Sequence, residues 1–407
     1  MTDFHKIRRL PPYVFEEVNR LKARLRAEGV DIIDFGMGNP DMPTPKHIVD
    51  KLIETARDPK SGRYSASKGI IGLRRAMAGY YARRFGVDLD PETEVVATLG
   101  SKEGFANLAQ ALTAPGDTVI CPNPAYPIHA YGFIMAGGVI RHVPALTPEE
   151  YLSGISRAVK HSAPPPSVLI LSYPSNPTAH AVDLDFYKEA VALAKKHDLL
   201  VLSDVAYSEI YFDDRPPPSI LQVDGAKDIA VEINSLSKTY AMAGWRVGMV
   251  VGNARLCAAL ARVKSYLDYG AFTPIQVAAA AALNGPQDCV AEIRATYKSR
   301  RDVLVSSMQR AGWDIPAPPA SMFAWTPIPP QFKGIGSIAF SKLLIEHAGV
   351  AVAPGAGFGE YGEGYVRIGL VENEHRIRQA ARNVKRFLDQ SGQILSAHRA
   401  VMAEAAQ

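Results

Sequence analysis

The chain has 407 residues, more than one compact core accommodates, so two packed units are expected. It is 47% hydrophobic and 21% charged, which excludes a disordered or fibrous protein. The net charge of +4 is spread over both signs rather than gathered in a basic arm, so nucleic acid is not an expected partner.

Residues 1–12 read as an extended arm stiffened by Pro11 and Pro12 and carrying no apolar signal segment. The pairs Arg8-Arg9 and, further on, Arg300-Arg301 read as solvated. Residues 16–28 place Val18, Leu21 and Leu25 on one helical face, and Gly29 ends the helix. A short strand at 31–35 runs into the tight loop Gly36-Met37-Gly38-Asn39-Pro40-Asp41. Helices are expected at 47–57 and 73–85, separated by a polar loop that carries Tyr64.

From residue 94 short apolar strands alternate with helices: 94–99, 118–121, 139–143, 168–172, 199–203, 229–234 and 247–251. Several lack polar alternation, as strands covered on both faces do. This order predicts a mostly parallel α/β sheet with ligands beyond the carboxyl ends of its strands. Residues 254–284 read as helical with a break between 270 and 274, and 288–310 as a charged helix. A smaller α+β unit follows, with strands at 322–325, 350–353 and 365–370 and helices at 338–347 and 374–388. Residues 391–407 read as a frayed helix or a loose tail. The expected division is 1–45 as arm and part of the small domain, 46–295 as the large domain, and 296–407 as the small one. Cys121, Cys257 and Cys289 lie far apart without metal-ligand spacing, which argues against disulfides or zinc and fits free thiols in a reducing cytoplasm. No run of about 18 apolar residues predicts a membrane span.

The chemistry-bearing residues fall at the predicted strand ends. Gly100-Ser101-Lys102-Glu103-Gly104 opens a helix, which suits a phosphate or plain capping. Tyr126 is held between Pro124 and Pro127, as a stacking plate or a surface aromatic. Asn176 stands between Pro174 and Pro177, as a ligand group or a turn residue. Asp204 ends an apolar strand with Tyr207 three residues on; it needs a partner such as a pyridinium N–H, or it caps a helix. Lys238 lies among Ser235, Ser237 and Arg246, an amine beside phosphate-binding groups, which suggests a cofactor joined to it as a Schiff base. Together these groups meet what pyridoxal 5′-phosphate requires.

The run Ser235-x-Ser237-Lys238, followed by Gly244-Trp245-Arg246-x-Gly248, resembles the lysine signature of the class I and II aminotransferases, fold type I pyridoxal-phosphate enzymes. Ser175-Asn176-Pro177-Thr178, Asp204-x-x-Tyr207 and Arg367 stand in that family's order, so the resemblance covers nearly the whole chain. It implies a large domain built on a mostly parallel sheet of the seven-stranded type and a smaller α+β domain. It implies that Lys238 carries the cofactor, Asp204 meets the ring nitrogen, Asn176 and Tyr207 meet the phenolic oxygen, and Tyr126 stacks on the ring. Ser101, Lys102, Ser235, Ser237 and Arg246 would take the phosphate, with Tyr64 reaching the site of a neighbouring subunit in a homodimer. Arg367 and Gly38 would take the α-carboxylate of an amino acid or 2-oxo acid. Gly355-Ala356-Gly357-Phe358-Gly359 resembles the family's Pro-Gly-x-x-Phe-Gly turn rather than a dinucleotide loop.

Four stretches narrow the resemblance. Arg9-Leu10-Pro11-Pro12-Tyr13-Val14-Phe15, Asp34-Phe35-Gly36-Met37-Gly38-Asn39-Pro40-Asp41, Gly100-Ser101-Lys102-Glu103-Gly104 and Tyr269-Gly270-Ala271-Phe272-Thr273-Pro274 look like the bacterial alanine-synthesising glutamate–pyruvate aminotransferases, near the LL-diaminopimelate aminotransferases. The implied reaction is alanine + 2-oxoglutarate ⇌ pyruvate + glutamate. Aspartate, aromatic, methionine or diaminopimelate specificity, and a C–S β-lyase of the same fold, are the alternatives. No group that reads a side-chain carboxylate is evident; Lys264, Tyr266 and Tyr269 fit helix surface or dimer packing equally well.

Overall fold

The structure is a computed structural model that describes residues 4–11 and 15–405; Pro12-Tyr13-Val14 of the arm lie outside the described residues. Twelve strands are formed among those described: β1 (Ile33–Asp34), β2 (Val95–Thr98), β3 (Thr118–Asn123), β4 (Val139–Pro144), β5 (Pro166–Ser172), β6 (Leu200–Asp204), β7 (Ala230–Ser235), β8 (Gly248–Gly252), β9 (Phe323–Pro327), β10 (Val350–Ala351), β11 (Ala353–Pro354) and β12 (Tyr365–Gly369).

Seven of them form one sheet in the order β2-β8-β7-β6-β5-β3-β4. Only β8 is antiparallel to its neighbours. Along β5 to β8 successive side chains alternate between two cores. Leu169, Leu171, Val201, Ala230, Met249 and Val251 face one; Val168, Ile170, Leu202, Val231, Ile233 and Val250 face the other. Both faces are buried, which explains the unbroken apolar runs in the sequence. Side-chain caps mark several helix starts: Thr147, Asp183, Asn253 and Asn373 each accept an amide of the first turn.

The registers bring the functional strand ends to one edge. Ser172 lies opposite Asp204, and Ser235 lies opposite Gly248, which in turn faces Thr98. At Gly248 any Cβ would sit 2.6 Å from the Ser101 amide nitrogen, so glycine there lets β8 pass against the turn before the helix Ser101–Leu112.

A smaller antiparallel sheet, β11-β12-β9, and the parallel pair β1-β10 pack around a separate core that includes Phe323, Phe340, Ile368 and Phe387. The expected strand at 350–353 is therefore two strands. At Val352 the chain passes from pairing with β1 to pairing with β12. The amino-terminal segment closes onto this unit: the Phe35 amide donates to Ala351 O at 2.9 Å and the Gly369 amide donates to Phe35 O at 2.8 Å. That stitching sets the Gly36–Gly38 loop beside β12. The helix Asp288–Ala311 runs unbroken between the units, giving Val290 to the large core and Ile293, Tyr297 and Leu304 to the small one.

Two expectations need correction, and a third is narrowed to its helical alternative. Arg300 and Arg301 are buried, not solvated. Arg300 makes a two-pronged pair with Asp41, both bonds at 2.7 Å, and Arg301 pairs with Asp213 at 2.8 Å; two adjacent helix positions were too short a signal to show their partners. The arm holds a helical turn, His5–Arg8, rather than running extended throughout. Residues Ser391–Ala405 form a helix whose Ile394 reaches the small core. Among the described residues no helix is long and apolar enough to cross a membrane, no His/Cys/Asp/Glu cluster suits a metal, and all three cysteines are free.

Candidate active site

A cleft of about 370 Å³ opens where the strand ends of the large sheet meet the small unit. It is lined by Gly38, Ser101, Lys102, Tyr126, Asn176, Asp204, Tyr207, Ser235, Ser237, Lys238, Arg246 and Arg367, so every residue expected at the site but Tyr64 is in it. Tyr64 is 86% exposed on the outer surface, its ring 4.6 Å from that of Tyr269.

At one end lie the anion-binding groups. Ser235 ends β7 and caps the short helix Leu236–Thr239 by accepting the Ser237 amide at 3.1 Å; its hydroxyl donates to Ser237 Oγ at 2.8 Å. Arg246 sits in the left-handed backbone region, φ 59°, unusual for a side-chain-bearing residue and typical of ligand-shaping turns. Its guanidinium donates to Ala243 O at 2.8 Å and to Leu99 O at 3.3 Å. That places it over Gly100, where a Cβ would lie 2.2 Å from Arg246 Nη2. The helix Ser101–Leu112 begins there without a side-chain cap, its amides open to an anion.

In the middle stand Lys238, Asp204 and Tyr207. The Lys238 amine donates to Gly38 O at 2.8 Å, and burial, then the Arg367 and Arg246 charges, pull it down to about 8. Burial pushes the Tyr207 phenol well above its ordinary range, so it keeps its proton. Asp204 caps no helix; its Oδ1 accepts the Ala206 amide at 3.1 Å, and its Oδ2 lies 2.9 Å from His129 Nε2.

At the other end Arg367, buried on β12, donates to Asn176 Oδ1 at 2.7 Å and to Gly36 O at 3.4 Å. Its guanidinium lies 3.9 Å over the Phe323 ring and 4.7 Å from that of Phe358. Gly38 is pressed against the same Phe323, where a Cβ would come within 2.7 Å of the ring.

Sequence reasoning missed several contributors. His129 is wholly buried behind Tyr126 on the helix Pro127–Ala136; its place one helical turn from Tyr126 was the only hint. The helix Phe15–Ala27 lines the cleft through Phe15, Val18, Asn19 and Lys22, and Lys22 pairs with Asp34 at 3.0 Å. Those four positions repeat at helical spacing, but only the tertiary contact shows what they face. Lys264 is not helix surface. It is fully buried between Glu103, 3.1 Å away, and Asp268, 2.9 Å away.

Comparison with known proteins gives the family. The family described as aminotransferase class I and II matches residues 30–384. The chain is 67% identical to the putative aminotransferase AatC of Rhizobium meliloti, over 98% of this chain and 100% of that protein. It is 51% identical to the glutamate-pyruvate aminotransferase AlaC of Escherichia coli, over 96% of this chain and 94% of that one. It is 42% identical to the LL-diaminopimelate aminotransferase of Moorella thermoacetica, over 95% and 99%. Among solved structures, substrate-bound BacF from Bacillus subtilis superposes with a TM-score of 0.89 at 34% identity, over 95% of this chain and 98% of that one. The chain belongs to the class I and II aminotransferases, with the fold type I architecture, and is a pyridoxal-phosphate-dependent transferase.

The cleft fits that cofactor by its own chemistry. It offers uncapped helix amides, two serine hydroxyls and an arginine for a phosphate, a carboxylate backed by a buried histidine for a ring nitrogen, and one buried amine with a lowered pKa.

Proposed function

We propose that the protein catalyses L-alanine + 2-oxoglutarate ⇌ pyruvate + L-glutamate. The 51% identity to AlaC over nearly the full length of both chains carries this reading. The stretches around Gly36, Gly100 and Tyr269 support it through the same resemblance.

In this reading the amides of Ser101 and Lys102, the hydroxyls of Ser235 and Ser237, and Arg246 hold the cofactor phosphate. Tyr126 would lie against the ring, and Lys238 would carry the cofactor. When bound, pyridoxal phosphate supplies a carbonyl for the substrate amine and an electron sink that makes the substrate α-carbon acidic. Asp204, oriented by His129, holds a proton at the ring nitrogen. Tyr207, which keeps its proton, would donate a hydrogen bond to the phenolic oxygen. Asn176 accepts from Arg367 through Oδ1, which leaves its amide N–H groups for that same oxygen. Arg367, steadied by Phe323, grips the α-carboxylate beside the Gly38 backbone. The Lys238 amine, readily deprotonated because it is buried, moves the α-proton as general base and then general acid.

The active form in this reading is a cytoplasmic homodimer, with Tyr64 completing the site of the second copy. Tyr269, 62% exposed with its ring against that of Tyr64, and Tyr266, 83% exposed, are large exposed aromatics that support an association face. The working division remains 1–45, 46–295 and 296–407, the last boundary falling within the helix Asp288–Ala311.

A panel of amino donors against 2-oxoglutarate tests the specificity. Alanine as the preferred donor is expected. A clear preference for LL-diaminopimelate, aspartate, methionine or an aromatic donor removes it, and release of pyruvate and ammonia from cystathionine in place of amino transfer points to a β-lyase.

A further inference from the structure

Lys264 lies outside the cofactor cleft, yet it is the most deeply buried cation near it, with no exposed surface. Its ammonium joins Glu103 Oε1 at 3.1 Å to Asp268 Oδ2 at 2.9 Å. The two carboxylates hold different parts of the molecule. Glu103 Oε2 accepts the Leu99 amide at 2.7 Å, while the Leu99 carbonyl accepts from Arg246 at 3.3 Å. Glu103 therefore fixes the turn that opens the helix Ser101–Leu112, where the phosphate is expected to sit. Asp268 Oδ1 accepts the Gly270 amide at 2.6 Å, and the Asp268 carbonyl accepts the Ser67 hydroxyl at 2.5 Å. Asp268 therefore fixes both loops of the exposed aromatic surface, one carrying Tyr64 and the other Tyr269.

We propose that Lys264 is a positioning residue that couples the phosphate-binding turn to the Tyr64–Tyr269 surface, so that cofactor binding and self-association strengthen each other. The physical reason is charge. Two carboxylates drawn toward one buried ammonium form a rigid link; without the ammonium they repel in a poorly solvated place, and both loops must move apart. The one rigid link touches both sites, and coupling between two equilibria is reciprocal, so tighter cofactor binding implies a tighter dimer by the same factor. The self-association half rests on the proposed homodimer.

The test needs no transamination assay, so it stands or falls apart from the choice of substrate. Cofactor dissociation is measured by absorbance and fluorescence, and dimer dissociation by sedimentation with and without pyridoxal phosphate. In Lys264→Met the cofactor dissociation constant is expected to rise about 10- to 100-fold, the size of loss seen at metal sites when a residue that orients a ligand is removed. The triple variant Glu103→Gln, Lys264→Met, Asp268→Asn removes the repulsion while keeping one acceptor oxygen for the Leu99 amide and one for the Gly270 amide, and is expected to recover most of that loss. Cofactor is expected to tighten the wild-type dimer, and to do so less in Lys264→Met. If Lys264→Met is insoluble, Lys264→Gln and the triple variant carry the same comparison. Wild-type cofactor affinity in the single variant, or a loss that the triple variant does not recover, overturns the positioning role. A dimer constant indifferent to cofactor overturns the coupling, and a wild-type protein that stays monomeric at all concentrations overturns the dimer reading with it.

Discussion

The two ends of the cleft are built in opposite ways. Much of the anion-binding end is local, although its Gly100–Lys102 turn comes from far along the chain and meets Arg246 through Leu99 O. Ser235 bonds Ser237, and Arg246 bonds Ala243, each within three residues, and Arg246 remains open to solvent. The carboxylate end is assembled from afar. Arg367 meets Gly36 across 331 residues and Asn176 across 191, and the pairing depends on the amino-terminal segment closing onto the small unit. A local, solvated site loses affinity when damaged, and added ligand offsets the loss. A buried site made by two packed units loses geometry, which ligand cannot restore.

The largest effect is expected at Lys238, between the two ends. Lys238→Ala should lower transamination by on the order of 10⁴-fold or more, since nucleophile and proton carrier are lost together. Borohydride treatment of the wild type should abolish its visible absorption and fix the label on Lys238; a label elsewhere, or turnover near the wild-type rate in the variant, removes the assignment.

Arg367→Ala comes next. It removes a buried guanidinium and leaves Asn176 Oδ1 without that donor, a loss of about 2–5 kcal/mol. The expected result is a fall in kcat/KM shared by all amino donors and untouched by excess pyridoxal phosphate. A fall confined to one donor would mean that Arg367 reads a side chain instead.

Arg246→Ala should do less and do it differently. A charge-assisted contact at an exposed site is worth about 1.5 kcal/mol, so the cofactor dissociation constant should rise roughly tenfold while kcat recovers at saturating cofactor. Failure to recover would erase the distinction between the two ends.

The smallest effect on turnover lies behind the sheet, at Glu232 on β7. Burial raises this carboxyl to about 7, partly offset by the Ile220 amide, Ser219 and Tyr81, so its folded pKa exceeds the ordinary 4.5. Below the unfolded pKa both states are protonated. Between about 4.5 and 7 the unfolded chain ionises first, so stability falls as pH rises through that window and stays lower above it. Glu232→Gln should flatten this slope and raise stability by up to about 3 kcal/mol above pH 7, at 1.36 kcal/mol per pKa unit. Denaturation at pH 5 and pH 8 checks it; a variant with the wild-type slope places the titration elsewhere.

The sequence by itself determined the elements whose partners lie close in the chain. The apolar runs from β2 to β8 and the serine-lysine-arginine motif are local patterns with local physical causes, and family resemblance carried Asp204, Asn176 and Arg367 into one expected site. Only the tertiary structure decided what those residues lean on. Arg300 and Arg301 look like surface charge until Asp41 and Asp213 arrive from distant loops. Lys264 looks like helix surface until Glu103 and Asp268 close around it. His129 carries no mark of its role until β6 sets Asp204 beside it. A buried charge is defined by its partner, and a partner more than 80 residues away, as for each of these arginines, leaves no periodicity for the sequence to display.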